Sequence, residues 1–370
     1  MALDQSKNIW CSYFANGGMI YTTEKDWLTA SIEERNSELS QLLVKMLRDT
    51  LRSQYHADFD QIDVKYDAIF GHQNILFGED TGAYGGSFGI TLGMYDEFGD
   101  RVRDTPISES AIIGCAVGSA ATGMRPIAEL VFCDFLTVAM DQIANQAAKM
   151  RYMFGGKISL PMVVRMPAGA GQGGAAQHSQ SLEAWVTHVP GLKVVYPSTP
   201  QDALGLILSA IDDDNPVIYF ENKIIKEKAD ITNFDPIPLG KGNIVREGTD
   251  ISVITYGLQV YDAKKAADIL AKDGISLEII DLRTLYPLDK DMIRSSIAKT
   301  HHAIVITEET KRGGYGGEIS ATIAEEMFDE LDGPVVRIGS LNTPVPVSPI
   351  LEQAFMPNYQ DIVNAARKML

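Results

Sequence analysis

Glu109 is a carboxylic acid without polar company. In residues 104–123, DTPISESAIIGCAVGSAATG, a strand end passes through a turn at Pro106 into a helix of which Glu109 is about the second residue. Everything after Ser110 is apolar or small. Amides at a helix start favour the ionised carboxylate, whereas desolvation against Ile112, Ile113 and Val117 favours the protonated one. A carboxyl group balanced between the two suits proton transfer, although the same position also describes an ordinary helix-start glutamate. His178 is the second candidate. It lies in QHSQS, with Gln177, Ser179, Gln180 and Ser181 around it, at the exit of a loop that follows the strand candidate LPMVVRMP. Open α/β sheets place their chemistry in such loops, beyond the carboxyl ends of strands.

The loop itself reads GAGQGG, residues 169–174. A dinucleotide-binding turn has glycines at that place, but Pro167 interrupts the strand end, AAQHSQSLEAW follows instead of an apolar helix start, and no acid closes a next strand about 20 residues on. A loop that lets backbone approach a ligand or a subunit is the better reading. RGGYGGE, before the helix EISATIAEEM, reads as a tight turn, because Glu318 at that helix start repels anions. There is no GxxxxGK[ST] sequence and hence no P-loop. His188 and the pair His301/His302 have no such polar setting and read as surface or packing residues.

The elements that position these residues alternate. Strand candidates are ILFGE, RPIAELVF, LPMVVRMP, LKVVYPS and PVIYFEN, separated by the helical stretches DFLTVAMDQIANQAAKMRYMF and QDALGLILSAI. Continuous apolar strands alternating with helices imply a parallel sheet covered on both faces. Residues 223–240 hold KIIKEKAD and DPIPLG, lack apolar periodicity and form a linker. A second alternating set follows: DISVITYG, a helix closed by Gly274, SLEIIDL, a helix after Pro287, HAIVITEE, a helix from Glu318, PVVRIG and a last helix YQDIVNAARKML. The expected class is α/β, with two doubly wound domains at 78–222 and 241–370. Residues 1–77 form a separate segment with one amphipathic helix, in which Leu39, Leu42, Leu43, Met46, Leu47 and Leu51 share a face. In the long helix, Gln142, Asn145, Gln146 and Lys149 stand among apolar positions; as buried amides they need partners, which a large subunit interface would supply. The alternating small residues of 114–123 suit close helix approach.

A net charge of -17 in 370 residues argues against nucleic acid and anionic membrane as partners. No run is long and apolar enough for a membrane span, and MALDQSKNIW has no apolar core of a signal peptide, so cytoplasm or an organelle matrix is expected. Cys11, Cys115 and Cys133 lack metal-ligand spacing and suit buried thiols in a reducing compartment.

Taken together, GEDTGAYGGSF, RVRDTPISES, RPIAELVFCDF, MDQIANQAAKMRYMFGG, AAQHSQSLEAWVTHVPGLKVVYPSTPQDA, DNPVIYFEN, IDLRTLYPLD and LNTPVPVSP resemble the β subunits of thiamine-diphosphate-dependent 2-oxo acid dehydrogenases, of pyruvate, branched-chain and acetoin type. The resemblance runs from about Gly78 to the C-terminus. It implies a transketolase-like pyrimidine-binding domain followed by a smaller transketolase C-terminal domain. It also implies that Glu109 hydrogen-bonds the aminopyrimidine ring of thiamine diphosphate, that Phe135 lines that ring's pocket, that His178 faces the substrate and the incoming lipoyl group, and that Glu79 and Asp80 open a segment near the cofactor. Backbone groups of Met162, Ala210, Ile211, Asp213 and Asn215 fall where some members bind a structural potassium ion. No GDG followed by asparagines occurs, so the resemblance assigns the diphosphate and its magnesium to a partner α subunit, within a tetramer of two α and two β chains. The further partners implied are a second copy of this chain and a lipoyl acyltransferase. The chain departs from the family at its front, where 77 residues precede Gly78. That extension motivates a second reading, two-carbon acyl transfer to an acyl-carrier protein. A non-catalytic scaffold subunit is the alternative from a different class.

Overall fold

A computed structural model describes residues 2–4, 9–11, 74–225 and 233–370. The amphipathic helix expected within 39–51 lies outside the described residues, as does part of the expected linker. Near the N-terminus, β1 (Ala2–Asp4) and β2 (Ile9–Cys11) pair as an antiparallel ribbon.

The first sheet has seven strands: β3 (Asn74–Glu79), β4 (Val102–Thr105), β5 (Arg125–Glu129), β6 (Val163–Ala168), β7 (Lys193–Val195), β8 (Val217–Asn222) and β12 (Thr284–Tyr286). Their spatial order is β12-β7-β8-β6-β5-β3-β4, and all neighbours are parallel except β12 with β7. The central strands β6 and β8 are buried at every residue. Burial on both faces is why their sequences run apolar without alternation. Helices α1 (Met94–Phe98), α2 (Glu109–Ala121), α3 (Ala148–Met153), α4 (Glu183–Thr187) and α5 (Pro200–Asp212) connect them. The stretch before α3, Gln142–Ala147, is wound as a π-helix. Thr199 accepts from the Asp202 amide at the start of α5, and Pro200 occupies its first turn, a position where a missing N–H costs nothing.

The second sheet has the order β14-β13-β10-β11-β9, built from β9 (Asn243–Arg246), β10 (Ile251–Thr255), β11 (Leu277–Asp281), β13 (Ala303–Thr310) and β14 (Val336–Ser340). Only β9 runs antiparallel to its neighbour. It is surrounded by α6 (Gln259–Leu270), α7 (Lys290–Thr300), α8 (Gly316–Glu326), α9 (Pro349–Phe355) and α10 (Tyr359–Met369). Gly274, at φ 78°, closes the turn after α6.

The sheets do not stand apart. β12 leaves the second half of the chain to pair with β7, and one apolar cluster runs from Ile113 and Val164 through Tyr196 and Tyr256 to Leu285 and Ile319. Tyr196 stacks on Phe220 at 5.8 Å and meets Tyr256 edge-on at 5.4 Å. Within the chain the amides of the long helix are not fully buried: Gln142 and Gln146 are half-buried and Asn145 is exposed, with Gln142 and Asn145 donating to Asp141. One sequence expectation is corrected here. Cys115 is exposed rather than buried, because it lies with Ala111 and Gly118 on the outer face of α2.

Candidate active site

Every residue that the resemblance ties to catalysis lies at or beyond the carboxyl end of one of four adjacent strands, β4, β3, β5 and β6. The chain leaves β3 for β4 on one side and returns to β5 on the other. That reversal of direction makes a crevice at the switch point, where open α/β sheets bind ligands.

Glu79 ends β3, and Asp80 follows at φ 55°, a left-handed conformation that turns the chain sharply out of the strand. The turn is fixed from β4: Asp104 accepts from the amides of Gly82 at 2.5 Å and Ala83 at 3.2 Å. Glu109 is the first residue of α2 and only 9% exposed. Among the described residues no donor bonds its carboxyl group. Its neighbour Ser110 donates to Val138 O at 2.6 Å, which ties this helix start to the turn after β5 that carries Phe135. Burial, then the charges of Asp80 and Glu109, push the Glu79 carboxyl above its ordinary range.

His178 sits in an aromatic cluster. Its ring meets Phe132 edge-on at 4.8 Å and Phe135 at 5.4 Å, while Phe88 closes on Phe132 at 5.7 Å. Phe132 and Phe135 also meet each other edge-on, at 5.8 Å. Buried Asp134 accepts from the Gln180 amide at 3.1 Å and from its side chain at 2.9 Å, and Cys133 Sγ donates to Gln180 O at 3.0 Å. The turn after β5 therefore grips the His178 loop by three bonds. Asp134 and Phe132 lie inside the run CDF and beside it, yet nothing in that run marks them as loop anchors rather than packing.

The glycine loop has another use than nucleotide binding. Its amides are already taken by carboxylates from the second half of the chain: Ala170 N donates to Glu308 at 2.6 Å, and Gly171 N and Gly173 N donate to Glu352 at 2.8 and 3.0 Å. Gly169 is at φ 93°, and a Cβ there would stand 2.7 Å from Glu308 Oε1 and 2.8 Å from Asn222 Nδ2, so only glycine allows this approach. Burial raises the Glu308 carboxyl to about 7, while the Ala170 amide, Asn222 and Lys223 pull it the other way. The turn RGGYGGE repeats the device, since Tyr315 N donates to Glu309 at 2.6 Å.

Of the carbonyls considered for potassium, those of Ile211 and Asp213 lie together at the end of α5. Ile211 O and Asp213 O accept from Arg125 Nη1 at 2.9 and 3.3 Å, and Met162 O accepts from Val217 N at 2.9 Å. Lys193 pairs with the Asp213 carboxylate, and Asn215 with Arg151 at 2.7 Å. A cation there would have to use the second lone pairs of these carbonyls.

Residues 71–226 match the family model of the transketolase pyrimidine binding domain and residues 240–362 that of the transketolase C-terminal domain. The chain is 50% identical over 290 residues to the β subunit of acetoin:2,6-dichlorophenolindophenol oxidoreductase of Cupriavidus necator, covering 78% of this chain and 86% of that protein. The chain belongs to the 2-oxo acid dehydrogenase β-subunit family. Other members at this distance are the 2-oxoisovalerate dehydrogenase subunit beta of Bacillus subtilis, 46% identical over 80% of this chain and 91% of that one, and the same organism's pyruvate dehydrogenase E1 component subunit beta, 44% identical over 80% and 93%. A solved split-gene transketolase, an inactive beta4 tetramer, superposes with a TM-score of 0.67 over 90% of this chain and 97% of its own at 19% identity, a likeness of fold. Among the described residues of this family member, no helix is long and apolar enough to cross a membrane.

Proposed function

We propose that the chain is the β subunit of a thiamine-diphosphate-dependent enzyme that decarboxylates a 2-oxo acid and hands the acyl group to a lipoyl group, active with an α subunit. The observation that carries this reading is Glu109: a glutamate only 9% exposed, its carboxyl bonded to no donor among the described residues, at a helix start beside the turn bearing Phe135. Such a group fits the ring nitrogen of an aminopyrimidine, which needs a carboxyl partner that holds or passes one proton.

When bound, thiamine diphosphate supplies the electron sink for the pair left behind by carbon dioxide. Glu109 holds and moves the proton at the aminopyrimidine ring nitrogen. Phe135 shields that ring from water, and Glu79 and Asp80 border it. His178 faces the substrate and the incoming lipoyl group. The α subunit holds the diphosphate and magnesium, a second copy of this chain completes the tetramer, and the lipoyl acyltransferase is the downstream partner. A structural potassium ion at Met162, Ala210, Ile211, Asp213 and Asn215 belongs to the proposal as a packing element, with no part in the reaction. The complex works in the cytoplasm or an organelle matrix.

The test is to purify the chain with its α partner and supply pyruvate, a branched-chain 2-oxo acid or acetoin. Release of carbon dioxide from a 2-oxo acid, with acyl transfer to a lipoyl domain, is expected. Activity with an acyl-carrier protein and none with a lipoyl domain would overturn the acceptor assignment, and no turnover of any donor would overturn the reading.

A further inference from the structure

Lys223 follows the last residue of β8 and is only 7% exposed. Its ammonium group donates to the His178 carbonyl and lies 5.0 Å from the centre of the Phe132 ring. Phe132 is the ring that meets the His178 imidazole at 4.8 Å. One cation thus touches the main chain of the histidine and the aromatic wall against which its ring rests. The backbone of Lys223 holds the same loop further upstream: its N–H donates to Ala168 O at 3.1 Å, and its carbonyl accepts from Gln172 Nε2 at 2.9 Å. Asp134, Glu308, Glu352 and the Cys133 thiol are the titratable groups near enough to act on it.

An ammonium group taken out of water is costly, and its partners here are a carbonyl and a ring face rather than a paired carboxylate. A methionine would fill the same space without that cost. We infer that Lys223 is the positioning residue of His178, fixing the loop through its carbonyl and the imidazole through Phe132, so that the ring meets the acyl acceptor in one orientation. This rests on the reading of His178 given above. A group displaced by about 1 Å from its productive place can lose on the order of 100-fold in rate, and that sets the scale of the effect.

The variants are Lys223→Met, which removes the cation and the donor, and Lys223→Gln, which keeps a donor for the carbonyl. Both are made in the αβ complex, in the parent and in a His178→Asn background. Transfer of the acyl group to a lipoyl domain is expected to fall about 10- to 100-fold in Lys223→Met and less in Lys223→Gln. Thiamine diphosphate affinity and dye-linked decarboxylation are expected to change little, and the Lys223 effect should vanish in the His178→Asn background. Carbethoxylation of His178, followed by mass spectrometry, should become several-fold faster in Lys223→Met, a readout that needs no turnover. Unchanged acyl transfer and unchanged His178 reactivity would refute the inference, as would a loss of equal size in the His178→Asn background. If the parent complex turns over no 2-oxo acid, the functional reading fails while the reactivity arm still decides the role of Lys223. If Lys223→Met does not assemble, Lys223→Gln decides by the same outcomes.

Discussion

Arg165 lies in the middle of the first sheet, 1% exposed, between Glu129 on β5 and Glu221 on β8. Nη1 bonds Glu129 at 2.8 Å and Nη2 bonds Glu221. Both carboxylates are buried, and burial pushes Glu221 above its ordinary range even with the guanidinium beside it. Arg165→Met therefore removes the shared cation from two buried acids. Leaving a buried charge unpaired costs about 3–5 kcal/mol. At about 2–4 °C per kcal/mol for a domain of this size, the melting temperature should fall by about 6–20 °C. Calorimetry of the αβ complex measures it, with a urea titration as the check on free energy. Replacing all three residues by apolar ones of similar volume should recover most of the loss, because a buried ion cluster and a packed apolar one differ little in net stability. Glu129 Oε1 also stands against Gly86, in the turn after Glu79, so the single variant should weaken thiamine diphosphate binding as well. A melting temperature within about 2 °C of the parent, equivalent to less than about 1 kcal/mol, would show that the cluster is not what holds these strands together.

Glu183 is fully buried, and burial and the nearby Glu309 raise its carboxyl well above the ordinary range. The folded chain then binds a proton that the unfolded chain releases, so stability falls as pH rises from the ordinary carboxylate range through the elevated one. Glu183→Gln keeps a donor without the titration, and the gap in urea midpoint between variant and parent should widen from pH 5 towards pH 9; a constant gap would sink the assignment. Gly191 is at φ 108°, and a Cβ there would stand 2.0 Å from Ala148 O, whereas Gly274 at φ 78° has open space. Gly191→Ala should cost more than the roughly 1–3 kcal/mol of backbone strain alone, and Gly274→Ala no more than about that, in the same denaturation assay; equal losses would contradict the clash.

Much of the fold and the site is legible in the sequence, for physical reasons. The buried parallel strands announce themselves as continuous apolar runs, and VIYFEN lies buried along its whole length in β8. Glu109 stands out because the acid opens a helix whose following residues are all apolar or small, so its charge has no local partner. Short edge strands are not legible: β9 and β12, of four and three residues, are set by tertiary pairing, and Thr284–Tyr286 joins a sheet built from the other half of the chain. The glycine loop shows that backbone is approached there, but not by what. Its occupants, Glu308 and Glu352, lie 138 and 181 residues away from the amides they accept from. Lys223 falls within the stretch that reads as linker, because a buried ammonium has no sequence signature apart from its partners.

Catalysis in this reading turns on Glu109 moving a proton at the aminopyrimidine ring. The most direct test is deuterium exchange at the thiazolium carbon of bound thiamine diphosphate, in the αβ complex, comparing the parent with Glu109→Gln. Gln preserves size and can still bond the ring but carries no ionisable proton. Exchange slowed by about 10²–10⁴-fold, the usual contribution of a positioned acid or base, with cofactor still bound, is the predicted result. Exchange at the parent rate would contradict the role of Glu109 and with it the proposed function.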